Sequence, residues 1–143
     1  MELTVTYVEP MYVQQLWPKV KDYIDSALNK GPGNAAIAPD YTVDHVQSYL
    51  TKGEWLLVVA ADKEDKIKGC ATVSFVNHPL HRVAFVTSIG GRWFTRANEF
   101  EQFKTLLKAH GATKIQGYGR ESIVRLWKRH NFQPVNTLVE VEI

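Results

Sequence analysis

The strongest constraint in this sequence lies between Trp55 and Ile89. Three β-rich runs, Trp55 to Ala61, Ile67 to Val76 and Arg82 to Ile89, are separated by short connections containing Asp62-Lys63-Glu64-Asp65 and Asn77-His78-Pro79-Leu80. Connections this short suit antiparallel neighbours, because a parallel crossover needs a dozen or more residues. A meander is therefore expected at the centre of the fold. Leu3, Val5 and Tyr7 alternate with polar or small residues, so a strand is expected from Leu3 to Val8, closed by Pro10. Lys114 to Tyr118 also reads as a strand, and Thr137 to Ile143 reads as a last alternating one.

Helical spacing fills the gaps between these runs. Val13, Leu16, Trp17, Val20, Ile24, Ala27 and Leu28 recur at three and four residues, with Pro18 inside the run predicting a kink or a fresh helix start. The stretch from Gly31 to Pro39 has two glycines and two prolines and is expected as a loop. Thr42 can cap a short helix with Val43, Val46, Tyr49 and Leu50 on one face and Gly53 as its stop. Asn98 and Glu101 have the spacing of a capping box, followed by Phe100, Phe103, Leu106 and Leu107 to His110, with Gly111 after it. Ser122 to His130 is a last helix with Ile123, Leu126 and Trp127 inward. The predicted order is β-α-α-β-β-β-α-β-α-β, an α/β (α+β) chain.

Composition narrows the class. The 143 residues suit one domain, 1–143, and 45% hydrophobic against 22% charged residues supports a packed core. A net charge of +2 is too small an excess to point to nucleic acid or a membrane surface as partner. Cys70 is the only cysteine, so no intrachain disulfide and no four-cysteine zinc site can form, and no metal is expected. The start of the chain lacks signal-peptide character and no apolar run approaches about 18 residues, so a cytosolic location is expected, the host cytoplasm if the protein is viral.

Arg120 to Phe132 has the spacing of the Asn-x-x-Ala-x-x-x-Tyr-x-x-x-Gly-Phe pattern near the end of many GNAT acyltransferases, which the chain resembles there and in element order. Asn131-Phe132 stands where Gly-Phe is usual, and Asn tolerates a left-handed helix stop. The chain also looks like small, divergent GNAT-like proteins of tailed bacteriophages, through Gly91-Arg92 after the central strand and Gly119-Arg120 before the last helix. The resemblance implies a mixed, mostly antiparallel central sheet flanked by helices, with the fourth strand splaying from the fifth to receive the pantetheine arm of an acyl-CoA.

The family signature Arg/Gln-x-x-Gly-x-Gly/Ala corresponds here to Arg92, Thr95 and Ala97, with threonine replacing the central glycine. The implied acetyl-CoA site comprises Ile89, Gly90, Gly91, Arg92, Thr95, Arg96 and Ala97. Free N–H groups and the helix dipole favour a diphosphate at such a helix start. A β-branched Thr95 adds bulk where glycine allows close approach, which Arg92 and Arg96 could offset, or Gly90-Gly91 could form an anion nest upstream. The alternative is that Gly90-Gly91 is only a turn and the arginines a solvated surface.

Acyl transfer to an amine needs a base and benefits from an acid for the departing thiolate. The family's tyrosine acid is replaced by Trp127, whose indole is no practical proton source, and Arg82 to Ile89 has no carboxylate to serve as base. The candidates left are His78, Tyr118 and Glu121, with His81 beside His78 in the same turn. Each also has a plain structural role, as an exposed turn residue, a packing ring and a helix-start acid. Ser88 and Cys70 have no recognisable base partner. Trp93-Phe94 could line the pantetheine arm, plug the cleft or dock a partner protein.

The sequence thus points to an acetyl-CoA-dependent N-acyltransferase with a small-molecule acyl-CoA and an amine acceptor. Its rival is a catalytically degenerate GNAT-fold binding or assembly protein with a protein partner. Nucleic acid is a distant third, resting on Lys128-Arg129-His130 alone.

Overall fold

The computed structural model describes residues 2–29, 40–119 and 121–143, without the side chains of 121–123. The expected Gly31 to Pro39 loop lies outside the described residues. Strands β1 (Thr4–Val8), β2 (Trp55–Ala61), β3 (Ile67–Asn77), β4 (Arg82–Gly91) and β5 (Lys114–Gly117) form one sheet in the order β1-β2-β3-β4-β5. Neighbours are antiparallel except β4 and β5, which run parallel. The meander is as the short connectors require.

Alternation along the strands splits the core in two. Val58, Ala60, Ala71, Val73, Ala84 and Val86 face one layer, and Leu57, Val59 and Cys70 face the other. The second layer belongs to α1 (Pro10–Asn29), which buries Val13, Trp17, Val20 and Ile24, and α2 (Val43–Thr51), which buries Val46 and Leu50. The first belongs to α3 (Ala97–Ala109), with Phe100, Phe103 and Leu107, and α4 (Glu121–Trp127), with Trp127. A 3-10 turn, Lys128–His130, continues α4.

Local chemistry explains most boundaries. Thr42 Oγ1 accepts from His45 N–H and His45 Nδ1 accepts from Thr42 N–H, a reciprocal cap on α2. Gly53 and Gly111, at φ 76° and 86°, follow α2 and α3, and Asn131 takes the left-handed stop at φ 68°. Helix α1 runs through Pro18, so no new helix begins there. The Asn98/Glu101 box does not form: α3 starts at Ala97 with Arg96 as N-cap, which places Asn98 inside the first turn, its amide on Glu99.

One expected strand is missing. Thr137 to Ile143 has no regular structure and joins no strand among the described residues, and Leu138, Val139 and Val141 are exposed. Alternation makes a strand only when an edge supplies the ladder. Here the segment after Asn131 runs along a groove beside β5 instead of joining it.

Candidate functional site

The geometry of the site begins with a bulge. Thr72 pairs with Ser88 and Val73 with Val86, so Thr87 is the extra residue in β4. Both Thr87 and Ser88 then reach the buried Thr72 hydroxyl, at 2.7 and 2.5 Å. The bulge is held by polar groups, which fixes where β4 bends. Parallel pairing with β5 ends at Val86 and Gly117, so from Thr87 to Gly91 β3 is the strand's ladder partner among the described residues and a fork opens.

One side of the fork is packed with rings. Trp127 lies against Gly117, where an added Cβ would stand 3.0 Å from the indole, and it meets Phe94 at 5.6 Å between centroids. Phe94 also contacts Phe100, Phe103, His130 and Phe132. Trp93 is 1% exposed, donates its indole N–H to Gly90 O at 3.0 Å and packs on Gly69. Both rings of Trp93-Phe94 turn inward and pack in the core against Phe103.

By alternation Tyr118 stands on the other side, edge-on to Phe85 at 5.0 Å. Tyr41 reaches the same fork from the start of α2 and donates its hydroxyl to Thr87 O at 2.9 Å. Burial, with smaller contributions from Tyr118 and Asp40, pushes the Tyr41 hydroxyl up to about 12. Tyr41 therefore stays a neutral donor that braces the bulge. Tyr118 is exposed, and Tyr41 is half-buried.

The loop after β4 presents Arg92, Thr95, Arg96 and Ala97 to solvent and turns Trp93 and Phe94 inward. The N-cap residue Arg96 makes no side-chain cap, and among the described residues no side-chain hydrogen bond to the first N–H groups of α3 is seen. Thr95 Oγ1 instead contacts Arg92 O at 3.4 Å. Gly90 and Gly91 are ladder residues paired with Cys70 and Gly69, not a nest. Gly90 lets α1 approach, since a Cβ there would stand 2.8 Å from Tyr23 O, and Gly91 has φ 90°.

Glu99 complicates the anion site. Its side chain is 2% exposed in the first turn of α3, with Arg96 Nε 3.7 Å from Oε2, too far for a hydrogen bond. Oε2 has no hydrogen-bond partner among the described residues, and Asn98 Nδ2 donates to Oε1 at 3.3 Å. The helix dipole favours this carboxylate, and its charge reduces the positive potential an incoming anion meets. The uncapped amides and exposed arginines fit a diphosphate; the buried acid opposes it in part.

Of the acid-base candidates, the structure brings Tyr118 to the fork, with Glu121 three residues on at the start of α4. His78 and His81 lie in the turn before β4, roughly 13 Å or more from the fork along a strand that rises about 3.3 Å per residue. His81 Nδ1 is within 3.0 Å of Thr113 Oγ1. The turn and the fork are at opposite ends of β4.

Comparison with solved structures matches the architecture over almost the whole chain. An aminoglycoside acetyltransferase from an uncultured soil metagenomic sample superposes with a TM-score of 0.65 at 12% identity, covering 100% of this chain and 99% of that one. The fold is that of the GNAT-type acetyltransferases. A GCN5-related N-acetyltransferase from Ralstonia eutropha gives 0.64 at 10% identity, covering 98% of each chain. A predicted acetyltransferase from Clostridium acetobutylicum, solved with acetyl-CoA, gives 0.59 at 14% identity, covering 98% of this chain and 96% of that one. No protein-family model and no curated protein sequence matches the chain. Among the described residues, no helix is long and apolar enough to cross a membrane.

Sequence reasoning missed Tyr41 and Glu99. Tyr41 carries no motif, because its partner Thr87 is 46 residues away. Glu99 had a signal: Phe103 and Leu107 follow it at four-residue steps, so it falls on the buried stripe of α3.

Proposed function

We propose that the protein is an acetyl-CoA-dependent N-acyltransferase acting on a primary amine. The observation that carries this reading is the fork of β4 and β5, bulged at Thr87 and leading directly into the uncapped start of α3. Arg92, Arg96 and the amides of the first turn would hold the diphosphate, and the Ile89 to Gly91 backbone would border the pantetheine arm. Bound there, acetyl-CoA would supply a thioester carbonyl open to direct attack by the amine.

Water and one side chain would share the proton transfers. The amine loses its proton to water at the exposed side of the fork, since a lysine-like amine with a pKa of about 10.4 is mostly protonated at neutral pH. As the C–S bond broke, the sulfur would take a proton from the Tyr118 hydroxyl, with Glu121 next along the chain as second candidate, and the proton that the nitrogen sheds on forming the amide would return through water to the phenolate. His78 has no part in this reading, being at the other end of β4. We place the reaction in the cytosol, where the one thiol, Cys70, stays reduced.

Calorimetric titration with acetyl-CoA tests the site. Binding by the wild type that weakens in Arg92→Ala is the expected result, and no heat at millimolar acetyl-CoA would overturn the reading. In a thiol-release assay with an amine panel, Tyr118→Phe should lower kcat with little change in KM for acetyl-CoA.

A second reading is favoured by the inward packing of Trp93, Phe94 and Trp127. On it, the chain is a GNAT-fold binding or assembly protein of the kind tailed phages encode, its pantetheine path filled by rings. A crystal soaked with acetyl-CoA separates the two: an arm threaded through the fork sinks this reading.

A further inference from the structure

On the face of the sheet that α1 and α2 cover, one cross-strand row stays half-open. Trp55 of β2, Ser74 of β3, Phe85 of β4 and Gln116 of β5 are successive register partners across four strands, so their side chains share one face. All four are half-buried, whereas Leu57, two residues along β2, is 1% exposed beneath the helices. A serine between two rings makes a slot. Its walls, Trp55 and Phe85, stand on strands two spacings apart, about 9.6 Å. A flat ring entering over Ser74 would lie about 4.8 Å from each wall, inside the range of stacked or edge-on aromatic pairs.

Both walls are braced from behind. Trp55 stacks on Tyr49 at 4.5 Å and meets Tyr41 edge-on at 5.1 Å, and Phe85 meets Tyr118 edge-on at 5.0 Å. Rings held in this way lose little freedom when a ligand arrives. The row offers a ligand few polar atoms: the Ser74 hydroxyl, the Gln116 amide and the Trp55 indole N–H, none of which has a hydrogen-bond partner among the described residues. None of the four residues is charged. Lys114 shares the face but stands two residues before Gln116, away from the fork, while Asp40 adjoins Tyr41 at the fork end and favours an ammonium there. A polyhydroxylated or polycationic body would have to bury its polar groups against rings. An apolar, flat one would not.

We propose that this row seats the ring of an arylalkylamine, flat over Ser74 between Trp55 and Phe85, with a short linker carrying the primary amine to the fork as the acyl acceptor. Phe85 lies two residues before Thr87, so seat and fork are roughly 7 Å apart along β4. The proposal rests on the acyl-transfer reading for the fate of the amine; the seat for the ring does not.

Calorimetry in the absence of acetyl-CoA, comparing phenethylamine with cyclohexylethylamine, tests the seat, because the two share a charge and differ in flatness and π-character. The wild type should bind the aryl amine about tenfold more tightly, as two ring contacts would give. Ser74→Leu, which fills the slot, should erase that preference and keep the wild-type far-ultraviolet circular dichroism. Equal affinity of the wild type for the two amines, or no heat from phenethylamine at millimolar concentration, overturns the proposal whatever the variant does. So does a preference that survives in folded Ser74→Leu. A thiol-release assay on the same pair separates the seat from the chemistry. An aryl preference in binding with no thiol released supports the seat and overturns acyl transfer; release at equal kcat/KM from both amines overturns the seat and leaves acyl transfer standing.

Discussion

The β1 and β5 sides of the sheet hold their backbone in opposite ways. At β1 a single side chain, Gln102, answers both a donor and an acceptor of the outer edge. At β5 no strand among the described residues covers the edge, and the strand is secured through its face, where Trp127 rests on Gly117 and joins the ring cluster around Phe94. The first solution is directional and local. The second is apolar and distributed, and it is also what fills one side of the fork. The difference teaches that the stability of the β5 side and the openness of the candidate site compete for the same space.

The largest expected effect breaks that packing. Trp127→Ala should destabilise the fold by roughly 3–5 kcal/mol, as for other large-to-small core changes, read from urea unfolding. A cost below about 1 kcal/mol would show that the cluster is not what secures β5. Next, Gln102→Leu should cost about 1–3 kcal/mol by leaving Val5 N–H and Leu3 O without their partner, with faster exchange at Val5. An unchanged unfolding midpoint would mean water replaces the amide at no cost.

Smaller is the effect of Tyr41, which braces β4 at the fork. Its folded pKa, about 12, is raised above the ordinary tyrosine value, so its stabilising contribution is complete below about pH 10 and is lost as pH rises toward 12. Tyr41→Phe should flatten that part of the stability–pH curve, and an identical curve would remove Tyr41 from the account. The smallest effect concerns Cys70, whose thiol burial pushes up to about 12. It should stay inert to a thiol reagent at neutral pH in the folded protein and react on unfolding; fast native reaction would show that α1 opens over β3.

Legibility followed the range of the interactions. The meander, the Thr42 cap and the stops at Gly53, Gly111 and Asn131 were readable because each depends on residues within a few positions. The start of α3 was misread, since Asn98 and Glu101 have the right spacing but Arg96 already occupies the N-cap. Thr137 to Ile143 was misread for a different reason: its pattern is that of a strand, but a pattern does not decide whether the segment pairs with an edge. Within the candidate site, Arg92 to Ala97 was placed correctly at the head of α3, whereas Tyr41 and the burial of Glu99 were beyond local reading.

By itself, the sequence determined which segments up to Trp127 are helical or extended and which faces are apolar, because periodicity and most caps act over a few residues. Tertiary structure alone decided that β5 runs parallel to β4 and parts from it after Val86. It decided too that Trp93 and Phe94 turn inward, and that Gln102 closes one edge while no strand among the described residues covers the other. These are contacts between residues far apart in the chain, and their geometry is set by how two layers pack on one sheet.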